Sequence, residues 1–133
     1  MVLFNDDVMK DKRKLAIWMD HSHAIIMELT TGPIMQHSIV SEFTFEERES
    51  SVAKSETLMH NKEQHEQSQY YKKIGDTIFD FQEVLLFGPT EAKVELINLL
   101  KTNHLFEKIK IEIQDTDVMT ENQMHAYARE YFK

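Results

Sequence analysis

Two short runs, residues 14–19 (KLAIWM) and 24–29 (AIIMEL), are rich in apolar, β-branched and aromatic side chains and flank the polar tetrapeptide Asp20-His21-Ser22-His23. That pattern predicts a β-hairpin. Thr31-Gly32-Pro33 supplies turn chemistry, and IMQHSIV (34–40) follows as a third antiparallel strand. From Ser41 to Gln69 apolar positions become sparse and show no period able to bury a face, so residues 42–66 read as a long exposed excursion. Tyr70, Tyr71, Ile74, Ile78 and Phe81 then take up the spacing of an amphipathic helix, predicted over about 60–81 with a first half that is polar all round.

EVLLFG (83–88) is a continuous apolar run, the pattern of a strand covered on both faces. TEAKVELINLLKTN (90–103) predicts a helix with Thr90 as N-cap and an apolar surface including Ala92, Leu96, Leu99 and Leu100. KIKIEI (108–113) alternates strictly, placing Ile109, Ile111 and Ile113 on one face of a strand and Lys108, Lys110 and Glu112 on the other. Thr120-Glu-Asn-Gln123 is a capping box, flanked by Met119 and Met124 at staple positions, and starts a last helix with Met124, Tyr127, Ala128 and Tyr131 in its apolar stripe.

The order β-β-β-α-β-α-β-α predicts an α/β fold with a mixed five-stranded sheet, three antiparallel strands followed by α/β crossovers. This is the ribonuclease H-like topology, which nucleases, ATPases and components of the translation machinery share, so it does not choose a function. The 133 residues are expected to form a single domain, with 1–13 as an N-terminal extension.

Composition narrows the chemistry. There is no cysteine, which removes disulfide scaffolds, thiolate metal sites and cysteine nucleophiles. The formal charge of −8, from 23 acids against 15 bases, opposes a general nucleic-acid binder. DNA is therefore not an expected partner. The first residues, MVLFNDDVMKDKRKL, have neither the apolar core of a secretory signal nor that of a membrane span, so a cytoplasmic location without membrane association is the expectation.

Several motifs invite a chemical reading. GPTEAK (88–93) follows an apolar strand and ends in lysine, but it lacks the glycines and the Gly-Lys-Ser/Thr ending that a phosphate loop uses. A turn explains Gly88, Pro89 and Thr90. A two-metal nuclease would need converging carboxylates, and only Asp20 stands near the first strand, in a tetrapeptide read as a turn, where aspartate is at home without any metal. His21 and His23, spaced i, i+2, could join Asp20, and Glu91 with them, around a metal ion. No cofactor is otherwise called for. Between Glu42 and Glu66 the excursion carries seven acids against three bases, Arg48, Lys54 and Lys62.

The runs YYKKIGDTIFDFQEVLLFGPTEAKVELINLL and KIKIEIQDTDVMTENQMHAYAREYF, together with AIWMDHSHAIIMEL, resemble a bacterial family related to the middle domain of the archaeo-eukaryotic peptide chain release factors and Pelota. The resemblance extends from about Lys14 to the end, and FGPTEAK and TENQMHAYAREYF are its most specific parts. It implies the translational-machinery version of the ribonuclease H-like fold, in which release factors carry a Gly-Gly-Gln loop before the long helix. Residues 42–66 occupy that place here, yet Gly32, Gly75 and Gly88 are isolated and no Gly-Gly-Gln exists.

The resemblance therefore implies a non-enzymatic, translation-associated protein that docks on the ribosome or a ribosomal factor through 42–66 and the polar start of the helix after it. A basic ribosomal protein suits the acidic chain better than ribosomal RNA. For any RNA contact the local candidates are Arg48, Lys54, His60, Lys62 and His65. Two readings of other classes stand beside it: a metal-dependent hydrolase or nuclease built on Asp20, His21 and His23, and a structural module that self-associates through a strand edge or its methionine-rich surface.

Overall fold

The computed structural model describes residues 13–41 and 56–133, with side chains described from residue 64 onward in the second stretch. Strands β1 (Lys14–Met19), β2 (His23–Leu29) and β3 (Met35–Val40) precede helix α1 (Glu56–Ile78). Then follow β4 (Glu83–Gly88), α2 (Ala92–Lys101), a 3₁₀ turn (His104–Phe106), β5 (Lys110–Asp115) and α3 (Glu121–Tyr131). The five strands form one sheet in the order β3-β2-β1-β4-β5. β1 pairs antiparallel with β2 and β2 with β3, while β1–β4 and β4–β5 are parallel, so the mixed sheet expected from the element order is present.

Strand alternation sorts the core into two layers. Leu15, Ile17, Met19, Ala24, Ile26, Val84 and Leu86 face α1 and α2, where they meet Tyr70, Tyr71, Ile74, Ile78, Ala92, Leu96 and Leu100. The opposite face offers Ala16, Trp18, Met27, Leu85 and Phe87 to Met124 and Ala128 of α3, with Tyr127 stacked on Phe87 at 4.9 Å between ring centroids. β1 and β4 are thus apolar on both faces because helices cover both, and each fully buried large side chain contributes about 1.5–3 kcal/mol.

Element ends depart from the sequence pattern where a turn takes over an apolar position. α1 ends at Ile78, not Phe81: Phe81 reaches the core from a turn, with its amide on the Ile78 carbonyl and the Arg13 guanidinium 4.5 Å above its ring. β5 begins at Lys110, whose amide bonds the Gln82 carbonyl, because Ile109 still closes the 3₁₀ turn on Phe106. α2 begins at Ala92 with Glu91 at the N-cap position, and Thr90 instead accepts from the Ala92 amide through its hydroxyl at 3.2 Å. Leu99, expected in the apolar surface of α2, is half exposed. The capping box of α3 forms as its residues predict, the Thr120 hydroxyl accepting from the Gln123 amide at 3.2 Å and the Gln123 side chain from the Thr120 amide at 2.9 Å.

Gly88 closes β4 with φ of 150°, where a Cβ would stand 2.2 Å from the Met19 carbonyl oxygen. Neither the backbone conformation nor the clash can relax through a flexible side chain. Gly88→Ala is therefore expected to lose about 3 kcal/mol of stability in urea unfolding, with the slope of the transition unchanged. A loss under about 0.5 kcal/mol, the scale of an ordinary surface change, would show that β1 and β4 do not approach this closely.

Candidate docking surface

The strands β1 and β4 end together at Met19 and Gly88, and the turn between β1 and β2 caps this end of the sheet. Asp20 organises that turn: its Oδ1 accepts from the Ser22 amide at 2.8 Å, the Ser22 hydroxyl at 3.0 Å and the His23 amide at 2.9 Å. Burial alone would push the Asp20 carboxyl up, but those hydrogen bonds and the neighbouring His23 outweigh it and hold the group below its ordinary value.

The two histidines separate. His23 stays with its own turn, Nδ1 3.3 Å from Asp20 Oδ1 and its ring tilted against Trp18 at 5.2 Å. His21 turns to α2, with Nε2 3.2 Å from Glu95 Oε2. Glu91, at the N-cap position of α2, is exposed. Among the described residues no group of three or more His, Cys, Asp or Glu side chains is placed to hold a metal ion. Asp20 and His23 meet within the turn, while His21, their neighbour in the chain, is held by Glu95 of α2.

α1 and α2 are strapped to this turn. The Tyr70 hydroxyl donates to the Asp20 carbonyl at 2.8 Å, and the Gln67 side-chain amide donates to the His21 carbonyl at 3.4 Å. The Tyr71 hydroxyl donates to Glu95 Oε1 at 2.6 Å, so Glu95 joins α1, α2 and His21. Burial, and for Tyr71 also the Glu95 carboxylate, pushes both phenols well above the ordinary tyrosine range, so they remain donors. Tyr70 and Tyr71 read from sequence as core positions. The signal for their second role was their chemistry, since a buried tyrosine, unlike leucine or phenylalanine, needs a partner for its hydroxyl.

Lys93 resolves the question raised by GPTEAK. Its side chain is fully buried, and its Nζ lies 2.6 Å from the Thr90 carbonyl and 2.7 Å from Asp115 Oδ1. Asp115 is itself 87% exposed, so the pair sits just under the surface, with the ammonium covered by protein and the carboxylate in water. The lysine fastens the β4–α2 turn to the end of β5.

Beyond this cap α1 continues. From Glu56 to Gln69 it runs about 20 Å along its axis before the buried anchor at Tyr70, at 1.5 Å per residue. His65 is exposed on this stretch. His60 and Lys62 belong to the same helix, with side chains outside the described residues, and Arg48 and Lys54 lie outside the described residues altogether. The end of the sheet thus presents a helix held at its base by tyrosine and glutamate hydrogen bonds.

The fold is that of domains found in translation factors. No family model matches this chain and no curated protein matches it. Among solved structures it is similar to Pelota of Archaeoglobus fulgidus, with 12% identity and a TM-score of 0.53 over 97% of this chain and 35% of that one. It is similar as well to the Pelota protein of Thermoplasma acidophilum, with 12% identity and a TM-score of 0.54 over 94% and 36% of the two chains. The archaeal translation termination factor aRF1 gives 16% identity and a TM-score of 0.55 over 99% of this chain and 43% of its own. The chain spans less than half the length of these proteins, and the likeness to release factors and Pelota holds at the level of the fold.

Glu95 carries a pH signature. The Tyr71 hydrogen bond is the largest influence on its carboxyl and lowers it; burial opposes and His21 adds to the lowering. A carboxyl depressed in the folded state stabilises above its unfolded pKa and loses that contribution as pH falls through the folded value. Stability should therefore decline below about pH 4.5, the ordinary glutamate value. Glu95→Gln should remove up to ~1 kcal/mol of that decline, small because the side chain is half exposed. Urea midpoints of the two proteins at several acidic pH values measure it, and parallel curves would count against the Glu95 strap.

Proposed function

We propose that this chain is a non-enzymatic protein of the translation apparatus, working in the cytoplasm, that docks on the ribosome or a ribosomal factor. Residues 42–66 and the polar start of α1 make the contact. The observation that carries this reading is a fold shared with Pelota and aRF1 over nearly the whole chain, in a sequence without a Gly-Gly-Gln anywhere. A docking role keeps the fold and dispenses with the peptide-release loop.

The charge of −8 favours a basic ribosomal protein as the partner, since an acidic surface is steered toward it and repelled by RNA phosphates. Where RNA is touched, Arg48, Lys54, His60, Lys62 and His65 supply the cations. The metal-dependent alternative draws no support from the Asp20 turn, whose side chains are occupied with one another and with α2.

Sucrose-gradient cosedimentation of the tagged protein with ribosomes in lysate tests the proposal, beside a variant lacking residues 44–62. That deletion keeps the buried anchor of α1 from Tyr70 onward. Wild type should travel with ribosomes and the deletion remain at the top of the gradient while its circular dichroism stays that of a folded protein. Wild type at the top, even in low salt, would overturn the docking reading.

A further inference from the structure

The two edges of the sheet are guarded differently. β5 carries Lys110, Glu112 and Asp115, all exposed, and such charges discourage pairing with a further strand. β3, at the other edge, reads Met35-Gln36-His37-Ser38-Ile39-Val40, with no acid, lysine, arginine or proline. Its register against β2 is unbroken from His23↔Val40 to Glu28↔Met35, so no bulge turns it away. Met35 and Val40 are 62% and 58% exposed.

The ladder shows which backbone groups face outward. The Ser41 amide bonds the Ser22 carbonyl at 2.8 Å, and antiparallel pairs alternate, so Met35, His37 and Ile39 bond inward to β2. The amides and carbonyls of Gln36, Ser38 and Val40 then point away from β2, where no further strand of the described residues pairs. From Ile34 to Val40 the polarity of the strand is a palindrome about His37: two apolar residues, three polar, two apolar.

We propose that β3 is a two-fold pairing surface for a second copy of this chain, with the axis at His37. Antiparallel pairing about that point sets Gln36 opposite Ser38 and Ile34 opposite Val40 of the second copy on one face. On the other face Met35 meets Ile39 and His37 meets its own counterpart. Apolar residues meet apolar ones and polar meet polar in every pair. The outward backbone groups come into register in the same arrangement, which a shift by one residue would destroy.

Charge favours a second copy at this strand in particular. The chain is acidic overall, yet the pairing strand has no carboxylate, so two copies meet there without like charges in the ladder. Among the described residues, two acids beside it are engaged: Glu28 with Arg13 at 3.3 Å, and Glu121, which accepts from the Gln36 side-chain amide at 3.1 Å. Salt, by screening the remaining repulsion, strengthens the association.

Because the chain has no cysteine, single substitutions read the register directly. In this pairing the two His37 Cα atoms stand ~4.5 Å apart, within disulfide range, whereas the Ser38 positions are diagonal neighbours at ~7–8 Å. Under mild oxidation the full-length His37→Cys variant should form a covalent dimer roughly tenfold faster than Ser38→Cys, following the steep distance demand of the disulfide. Analytical ultracentrifugation of the wild type should show twice the chain mass at high concentration, more completely in salt. Val40→Lys should be a folded monomer by the same measurement and by circular dichroism. A wild type that stays monomeric to submillimolar concentration overturns the proposal and leaves the edge to an extended segment of another protein. A dimer that survives Val40→Lys, or that cross-links no faster at 37 than at 38, overturns it in favour of a different surface.

Discussion

The parallel pairing of β1 with β4 is the constraint on which the rest depends. It joins an antiparallel half, β1 to β3, to a parallel half, β4 and β5, and both joining strands are covered by helices on both faces. Such strands have no side able to carry polar residues, which explains why LAIWM and VLLF are unbroken apolar runs. The closeness of the pair at its end, where the Gly88 backbone lies against the Met19 carbonyl, demands glycine there. Where that end forms, the β1–β2 turn, the β4–α2 turn and the base of α1 are gathered into one place.

Polar side chains at that end serve the architecture before they serve any chemistry. Asp20 closes a turn, Glu95 holds a tyrosine and a histidine, and Lys93 holds a carbonyl and Asp115. Each is the kind of residue that suggests catalysis when read singly. The Asp20 carbonyl and Glu95 hold the base of α1 through Tyr70 and Tyr71, and Lys93 separately holds the β4–α2 turn to β5. In the docking we propose, a helix base held in this way would reduce the ordering cost met on binding.

Much of this was legible in the chain. Unbroken apolar runs marked β1 and β4 to the residue, and the Thr120 capping box fixed the start of α3 because its signal is local and chemical. Periodicity misplaced the end of α1, since Phe81 keeps the helical spacing while reaching the core from a turn. It also overestimated burial at Leu99, because the width of the stripe that α2 buries depends on how α1 lies beside it. The candidate residues Asp20, His21 and His23 were visible as chemistry, but whether they converge depends on side-chain directions at a turn. The partners that decide this, Tyr71 and Glu95, are remote in sequence. Lys93 escaped for the same reason: its burial depends on β5 arriving next to the loop.

Site-specific photocrosslinking addresses the docking account most directly. A photoreactive residue placed at His65, on the exposed stretch of α1, is compared with one at Lys108, exposed just before β5. The account predicts that position 65 becomes attached in cells to a ribosomal protein or a ribosome-bound factor and that position 108 does not. Equal yields from the two positions, or products from 65 that contain no component of the translation apparatus, would contradict it.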